Sequence, residues 1–240
     1  MGKYILLLNN DTKLQLNSIR NLISAFDNIP DLASVQPKIR LLENPTFLDV
    51  VGSFFTSTGF LYHFGYQKNH TLDIYNRPIP VFSNKGACML IRKEIIDKIG
   101  LFDDDFWCYY EETDFCHRVW LYGYSCYYYP LSTIFHVRGA SSIFFDNSYI
   151  QFHNFKNKLL SFLKNLEFKS LLYILPMYLL FNFALSFIWL LQGRVKHFWV
   201  LYKAIWWNFR NIKSTFNKRK RIQAWRKVSD KEIFKKVKFN

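Results

Sequence analysis

Paired cysteines are missing from this 240-residue chain. Its four cysteines, Cys88, Cys108, Cys116 and Cys126, form no CxxC pair, and their gaps exclude a zinc ribbon or finger. They read as reduced core thiols of a cytosolic domain. No internal repeat is visible, which excludes a solenoid. The apolar run from Tyr4 to Leu8 is too short for a signal-peptide core and is soon followed by Asp11, so no cleaved leader is expected there. Acid is nearly absent from the tail: residues 194–240 hold 15 Lys+Arg and 2 Asp+Glu. Residues 1–150, by contrast, hold 13 Lys+Arg against 15 Asp+Glu. The net charge of +14 therefore belongs to the tail, which calls for an anionic partner.

What is plentiful is apolar and aromatic matter, 50% and 20% of the chain, enough for a sizeable core. Tyr4 to Leu8 reads as a buried strand ending in polar Asn9-Asn10-Asp11-Thr12. Residues 14–26 have helical spacing, residues 33–37 suggest a second strand, and residues 41–80 look loop-rich. Residues 87–91 predict a strand, followed by a short helix closed by Gly100. Residues 111–122 predict a helix closed by Gly123, and residues 124–129 a strand ending at Pro130. Strands alternating with helices predict an α/β domain with a mostly parallel, Rossmann-like sheet over residues 1–150. Ligands of such sheets sit beyond the carboxyl ends of strands, where Asp11 falls.

Residues 151–240 have a different character and predict a helical, membrane-associated tail. Residues 171–192 carry no formal charge and, as a helix, would span about 33 Å, enough to cross a bilayer. Pro176 and Asn182 interrupt the run, and both flanks are basic (Lys164 and Lys169 before it, Arg194 and Lys196 after). A bent hairpin or helices lying in the interface are therefore expected ahead of one clean span. Trp199, Tyr202, Trp206, Trp207 and Phe209 then alternate with Lys203, Arg210, Lys213 and the cluster 218–221. Such a tail suits the anionic cytoplasmic leaflet. Nucleic acid is disfavoured as a partner, because the basic residues flank an uncharged apolar segment and the rest is slightly acidic.

Three clusters could carry chemistry. Asn9-Asn10-Asp11 at a strand end could present a carboxylate to a divalent ion, or equally begin a turn or cap a helix. Residues 102–120 crowd six carboxylates among aromatic rings. Within them, Glu111, Glu112 and Asp114 at a helix start favour the helix dipole, yet adjacent acids repel and need a counter-charge or a proton. Arg118, four residues after Asp114, has ion-pair spacing and leaves Glu111 or Glu112 free to face a cleft. His136, followed by Val137-Arg138-Gly139, resembles a phosphate- or metal-facing loop. The other histidines, His63 among them, read as structural or surface residues.

The ordered set Gly86–Arg92, Ile99–Asp103, Phe106–Arg118, Gly123-Tyr124, Tyr129-Pro130 and His136 resembles family 2 glycosyltransferases, most closely their rhamnosyltransferase-like subgroup. Residues 8–12 resemble the family's strand-end Asp-x-Asp site, and residues 219–223 and 226–230 its membrane-associated ends. The resemblance implies a partial GT-A fold and inverting sugar transfer from a nucleotide-diphosphate donor to a glycan or lipid-linked acceptor in cell-surface polysaccharide or glycoconjugate assembly. It implies Asp11 and His136 as ligands of a manganese or magnesium ion, with Asn9, Arg118 and Arg138 near the donor. Glu112 stands where the family usually has an Asp base, with Glu111 and Asp114 beside it. Family members also carry further strands and nucleotide-gripping acids ahead of the Asp-x-Asp strand, and no nucleoside pocket is legible here. A split enzyme completed by a separate chain, a fragment, or a non-catalytic membrane-bound scaffold are the alternatives. The expected location is the cytoplasmic face of the membrane, peripheral or hairpin-inserted.

Overall fold

The computed structural model describes residues 2–137, 139 and 146–237. In chain order these form β1 (Tyr4–Leu8), β2 (Thr12–Leu14), α1 (Ser18–Asn28), β3 (Leu32–Leu41), β4 (Leu48–Val50), β5 (Gly52–Phe55), β6 (Leu61–Phe64), β7 (Ile79–Pro80), β8 (Cys88–Arg92), α2 (Lys93–Ile99), α3 (Glu111–Leu121) and β9 (Ser125–His136). Five helices close the chain: α4 (Asn147–Asn165), α5 (Phe168–Leu191), α6 (Val195–Arg210), α7 (Ile212–Trp225) and α8 (Asp230–Val237). The α/β class with a helical C-terminal part is the one expected.

The main sheet runs β1-β8-β3-β9-β2, with β4 beside β3 and β7 beside β9, while β5 and β6 form a separate hairpin. The expected parallel character holds at its centre. There β3 and β9 run parallel, from Leu32 opposite Ser125 to Leu41 opposite His136. The flanking pairs β1–β8, β8–β3 and β9–β2 are antiparallel. A parallel pair needs a long crossover; β8 lies within the crossover from β3 to β9 and fills the slot on the far side of β3 in the opposite sense. Strand β8 shows the period-2 logic cleanly. Cys88 and Leu90 enter the core beneath α1, with Leu22 and Phe26, while Met89 and Ile91 enter the core shared with Phe115 and Val119 of α3. That second core continues into the tail through Phe155, Phe162, Ile174 and Leu201.

Three local expectations are corrected. The first helix starts at Ser18, because residues 12–14 are drawn into the sheet beside β9. Strand β9 does not stop at Pro130: the register jumps between Tyr129 and Thr133, so a bulge carries the proline and pairing resumes up to His136. The apolar segment is not a hairpin but one helix, α5, with Pro176 inside it. Proline forfeits a single backbone donor there, and the Asn182 amide donates to the Tyr178 carbonyl at 2.6 Å instead of breaking the ladder. Helix α5 is long and apolar enough to cross a membrane. It buries a stripe of Ile174, Tyr178, Asn182, Ser186 and Trp189 and exposes Leu172, Tyr173, Leu180, Phe181 and Phe187.

Part of the basic tail is used internally. Arg219 donates to the carbonyls of Leu163 and Leu166, both at 2.7 Å, and Gln223 to those of Lys164 and Asn165, both at 3.0 Å. These are the orphan carbonyls at the end of α4. Lys203, Arg210, Lys213, Lys220 and Arg221 remain exposed.

Candidate active site

Asp11 lies in the turn between β1 and β2, and its main-chain carbonyl accepts from the Val137 N–H at 2.9 Å. The β2–β9 pairing sets Thr12 opposite His136. This register brings Asp11 Oδ1 to 3.3 Å from His136 Nε2. The other ring nitrogen, Nδ1, is 2.9 Å from Oδ2 of the buried Asp49 on β4. The carboxylate at Nδ1 orients the ring and turns Nε2 toward Asp11. Asp11 Oδ1 is itself buried without a hydrogen-bond partner. A buried carboxylate oxygen without a hydrogen-bond partner, facing a ring nitrogen across this gap, suits a cation.

The donor set fits a hard divalent ion: one carboxylate and one imidazole, the latter oriented by a second carboxylate. No group of three His, Cys, Asp or Glu side chains that could hold a metal occurs among the described residues. An ion held by Asp11 and His136 would thus need oxygens from a ligand such as a diphosphate.

Glu111 and Glu112 open α3 at the same end of the sheet. Glu112 lies against Gly86, where an added Cβ would sit 3.8 Å from its side chain. The next residue, Ala87, accepts the Asn9 N–H at 3.0 Å, which links this helix start to the Asp11 turn. The turn before α3 is strained: Trp107, Tyr109 and Tyr110 have φ of 61°, 64° and 74°. It is clamped from α4, where the Asn157 amide nitrogen lies 3.0, 2.7 and 2.6 Å from the carbonyls of Phe106, Cys108 and Tyr109. Burial, then the charge of Glu112, pushes Glu111 up to about 7. Burial also raises Glu112, against the pull of Lys85 and the backbone N–H groups of Glu112, Thr113 and Gly86. Burial thus makes both of these adjacent carboxyls hold a proton more tightly than a solvated glutamate does.

The remaining expected residues divide. Asn9 ties the strand end through its N–H to Ala87 and its carbonyl to the Thr12 hydroxyl at 2.7 Å. Asp114 and Arg118 are packed into the scaffold behind the start of α3. Asp114 is buried against Arg118 at 3.0 Å, Lys164 at 3.3 Å and the Asn165 amide at 2.8 Å. Against burial, these cations and the amide hold its carboxyl well below the usual range. Arg118 also donates to the carbonyls of Ile99, Gly100 and Leu101. It borders a separate cleft of about 790 Å³ that contains none of Asp11, Glu112 and His136. Arg138 lies outside the described residues.

A family profile described as glycosyl transferase family group 2 matches residues 4–209. The chain belongs to this family. Its sequence is also 26% identical over 163 residues to the low-salt glycan biosynthesis hexosyltransferase Agl10 of Haloferax volcanii. That match takes in 65% of the chain and 50% of the relative, so the chain spans about half the length of the curated relative it matches. Among solved structures it is similar to GalNAc-T7 with UDP, GalNAc and Mn2+, at 13% identity and a TM-score of 0.48 over 67% of this chain and 31% of that one. It is also similar to the mannosyltransferase PcManGT of Pyrobaculum calidifontis with GDP-Man and Mn2+, at 11% identity and a TM-score of 0.41 over 89% and 51%.

Sequence reasoning missed Asp49, Lys85 and the role of His63. Asp49 stands between Leu48 and Val50, and an acid flanked by apolar residues in a supposed loop was the available signal. His63 Nδ1 is 2.8 Å from the Ser53 hydroxyl, and burial, then Lys85 and Lys158, lower it against the pull of Asp49.

Proposed function

We propose that this family member is an inverting glycosyltransferase, or the acceptor- and base-bearing half of one. It would transfer a sugar from a nucleotide-diphosphate donor to a glycan or lipid-linked acceptor in the assembly of a cell-surface polysaccharide or glycoconjugate. The observation that carries this reading is the Asp11–His136–Asp49 array at the end of the sheet that also positions Glu111 and Glu112. Asp11 and His136 would hold a manganese or magnesium ion, which supplies positive charge for the departing diphosphate. Glu112 takes the proton from the acceptor hydroxyl as that oxygen bonds to the anomeric carbon and the bond to the diphosphate breaks with inversion. Glu111 keeps the pair's charge in check, and Asp49 fixes the ring of His136.

Strand β1 pairs with β8 along one edge only among the described residues. An open edge of this kind takes further strands. Polypeptide outside these 240 residues, in the same protein or a separate chain, would supply them with the nucleoside pocket. The exposed apolar side of α5 and the exposed basic residues of α6 and α7 favour attachment to the cytoplasmic leaflet. The test is donor hydrolysis and transfer with manganese or magnesium, with and without a co-expressed N-terminal half. Loss of both activities in Asp11→Asn, His136→Ala and Glu112→Gln is expected. Full activity in Glu112→Gln would remove Glu112 as the base, and no turnover in any combination would favour a non-catalytic scaffold.

A further inference from the structure

Trp107 has no place in the scheme above. It is 79% exposed, more than any other Phe, Tyr or Trp among the described residues. Neighbouring rings of its turn are used: Phe106 and Tyr110 are buried with Leu160, and Trp207 packs on that cluster. Trp107 itself makes no hydrogen bond, ring contact or cation contact among the described residues. Its backbone is strained as well. The Cys108 N–H donates to the Phe106 carbonyl at 2.7 Å, which closes a three-residue turn around Trp107 at φ 61°. Turns of this hand are rare, and a bulky residue in one is held at a conformational cost.

The fold nonetheless grips this turn from behind. The Asn157 amide holds its carbonyls from α4, and Lys156 donates to the Asp105 carbonyl at 2.6 Å. Burial, then the charge of Glu111, raises the Cys108 thiol, so the turn lies beside the acid pair. Strain of this kind persists where the surroundings over-determine it, and it collects at ligand sites. Attachment to lipid asks only for exposure, which Trp199 and Trp206 have on the regular helix α6. A gripped turn just ahead of Glu111 suits a ligand whose distance from the acids matters. The donor diphosphate is assigned to Asp11 and His136, so that ligand is the acceptor. An indole offers a flat apolar surface to the C–H face of a pyranose and leaves the sugar hydroxyls free to reach the acids.

We propose that Trp107 is the platform on which a pyranose ring of the acceptor stacks, so that the chain extends an existing glycan rather than glycosylating a bare lipid or polypeptide. This rests on the transfer reading, of which it names the acceptor class. The test is saturation-transfer NMR of the whole chain with the methyl pyranosides of glucose, galactose, mannose, rhamnose and N-acetylglucosamine, and with glycerol as a ring-free polyol. Wild type should saturate the ring C–H protons of at least one pyranoside and none of glycerol. Trp107→Gly should weaken that binding by roughly tenfold or more, while Trp107→Phe keeps most of it. Glycine accepts φ 61° without strain, so Trp107→Gly should unfold no earlier than wild type. In the transfer assay, Trp107→Gly should raise the KM for a glycoside acceptor and not for the donor. No pyranoside bound by wild type, or binding intact in Trp107→Gly, overturns the proposal. So does earlier unfolding of Trp107→Gly, which would assign the ring to the fold, or loss of flotation with phosphatidylcholine vesicles while pyranoside binding stays, which would assign it to lipid. If wild type consumes no donor, the transfer reading fails and pyranoside binding alone decides the role of Trp107.

Discussion

Glu111 and Glu112 stand side by side at the first turn of α3, and each resists the ionisation of the other. A base works only when deprotonated, so a raised folded-state value places the loss of activity on the acid side of neutrality. Activity should fall on the acid side of neutrality, above the pH at which an ordinary glutamate would lose its charge, because burial raises Glu112, the base. Glu111→Gln removes a neighbouring charge, and the acidic limb of the kcat/KM profile should then move to lower pH. An acidic limb at the ordinary glutamate value, or one unmoved by the substitution, would contradict this coupling. The crowding of acids among rings was legible in the sequence, since burial among apolar neighbours is what raises a carboxyl. Asp49 was not, because its partner His136 is far along the chain and only the β3–β4 and β3–β9 registers bring them together.

At the scale of elements, the start of α3 is held by devices that sequence periodicity does not show. Three residues in the left-handed region precede it, and a single buried amide, Asn157, holds the carbonyls of Phe106, Cys108 and Tyr109 in the same turn. Asn157→Ala should cost about 1–3 kcal/mol by orphaning those carbonyls. It should also lower kcat, since the turn aims Glu112. Thermal unfolding together with kcat checks this, and a stable variant with normal turnover would refute it. Behind the turn, Asp114 joins α3 to α4 through Arg118, Lys164 and Asn165. Its folded value is depressed, so its stabilisation is present above the ordinary aspartate range near pH 4 and is lost as pH falls below it. Asp114→Asn should destabilise the fold by about 3 kcal/mol at neutral pH, with a smaller difference from wild type in acid, as denaturant titrations at both pH values would show. The spacing of Asp114 and Arg118 announced an ion pair. Lys164 and Asn165, fifty positions away, could be seen only in the fold.

For the molecule as a whole, the helical C-terminal part was legible as a shift in charge and apolar content, and the α/β class as an alternation of strands and helices. The sense of the flanking strands was not, because periodicity identifies a strand and says nothing of its direction. Nor was the continuity of α5, since Pro176 and Asn182 look like breaks until the Asn182 amide is seen to fold back on its own helix. The basic tail was read as membrane-facing throughout, whereas Arg219, Gln223 and Arg226 turn inward on α4 and Asp230. The proposed chemistry depends on Asp11 and His136, brought together by the β2–β9 register, jointly holding a metal-bound pyrophosphate. Manganese binding to the whole chain, followed by electron paramagnetic resonance with and without inorganic pyrophosphate, tests this without requiring turnover or a nucleoside pocket. Tight binding should need pyrophosphate and should be lost in both Asp11→Asn and His136→Ala. Binding that is unaltered in either variant would show that these two side chains do not form the site.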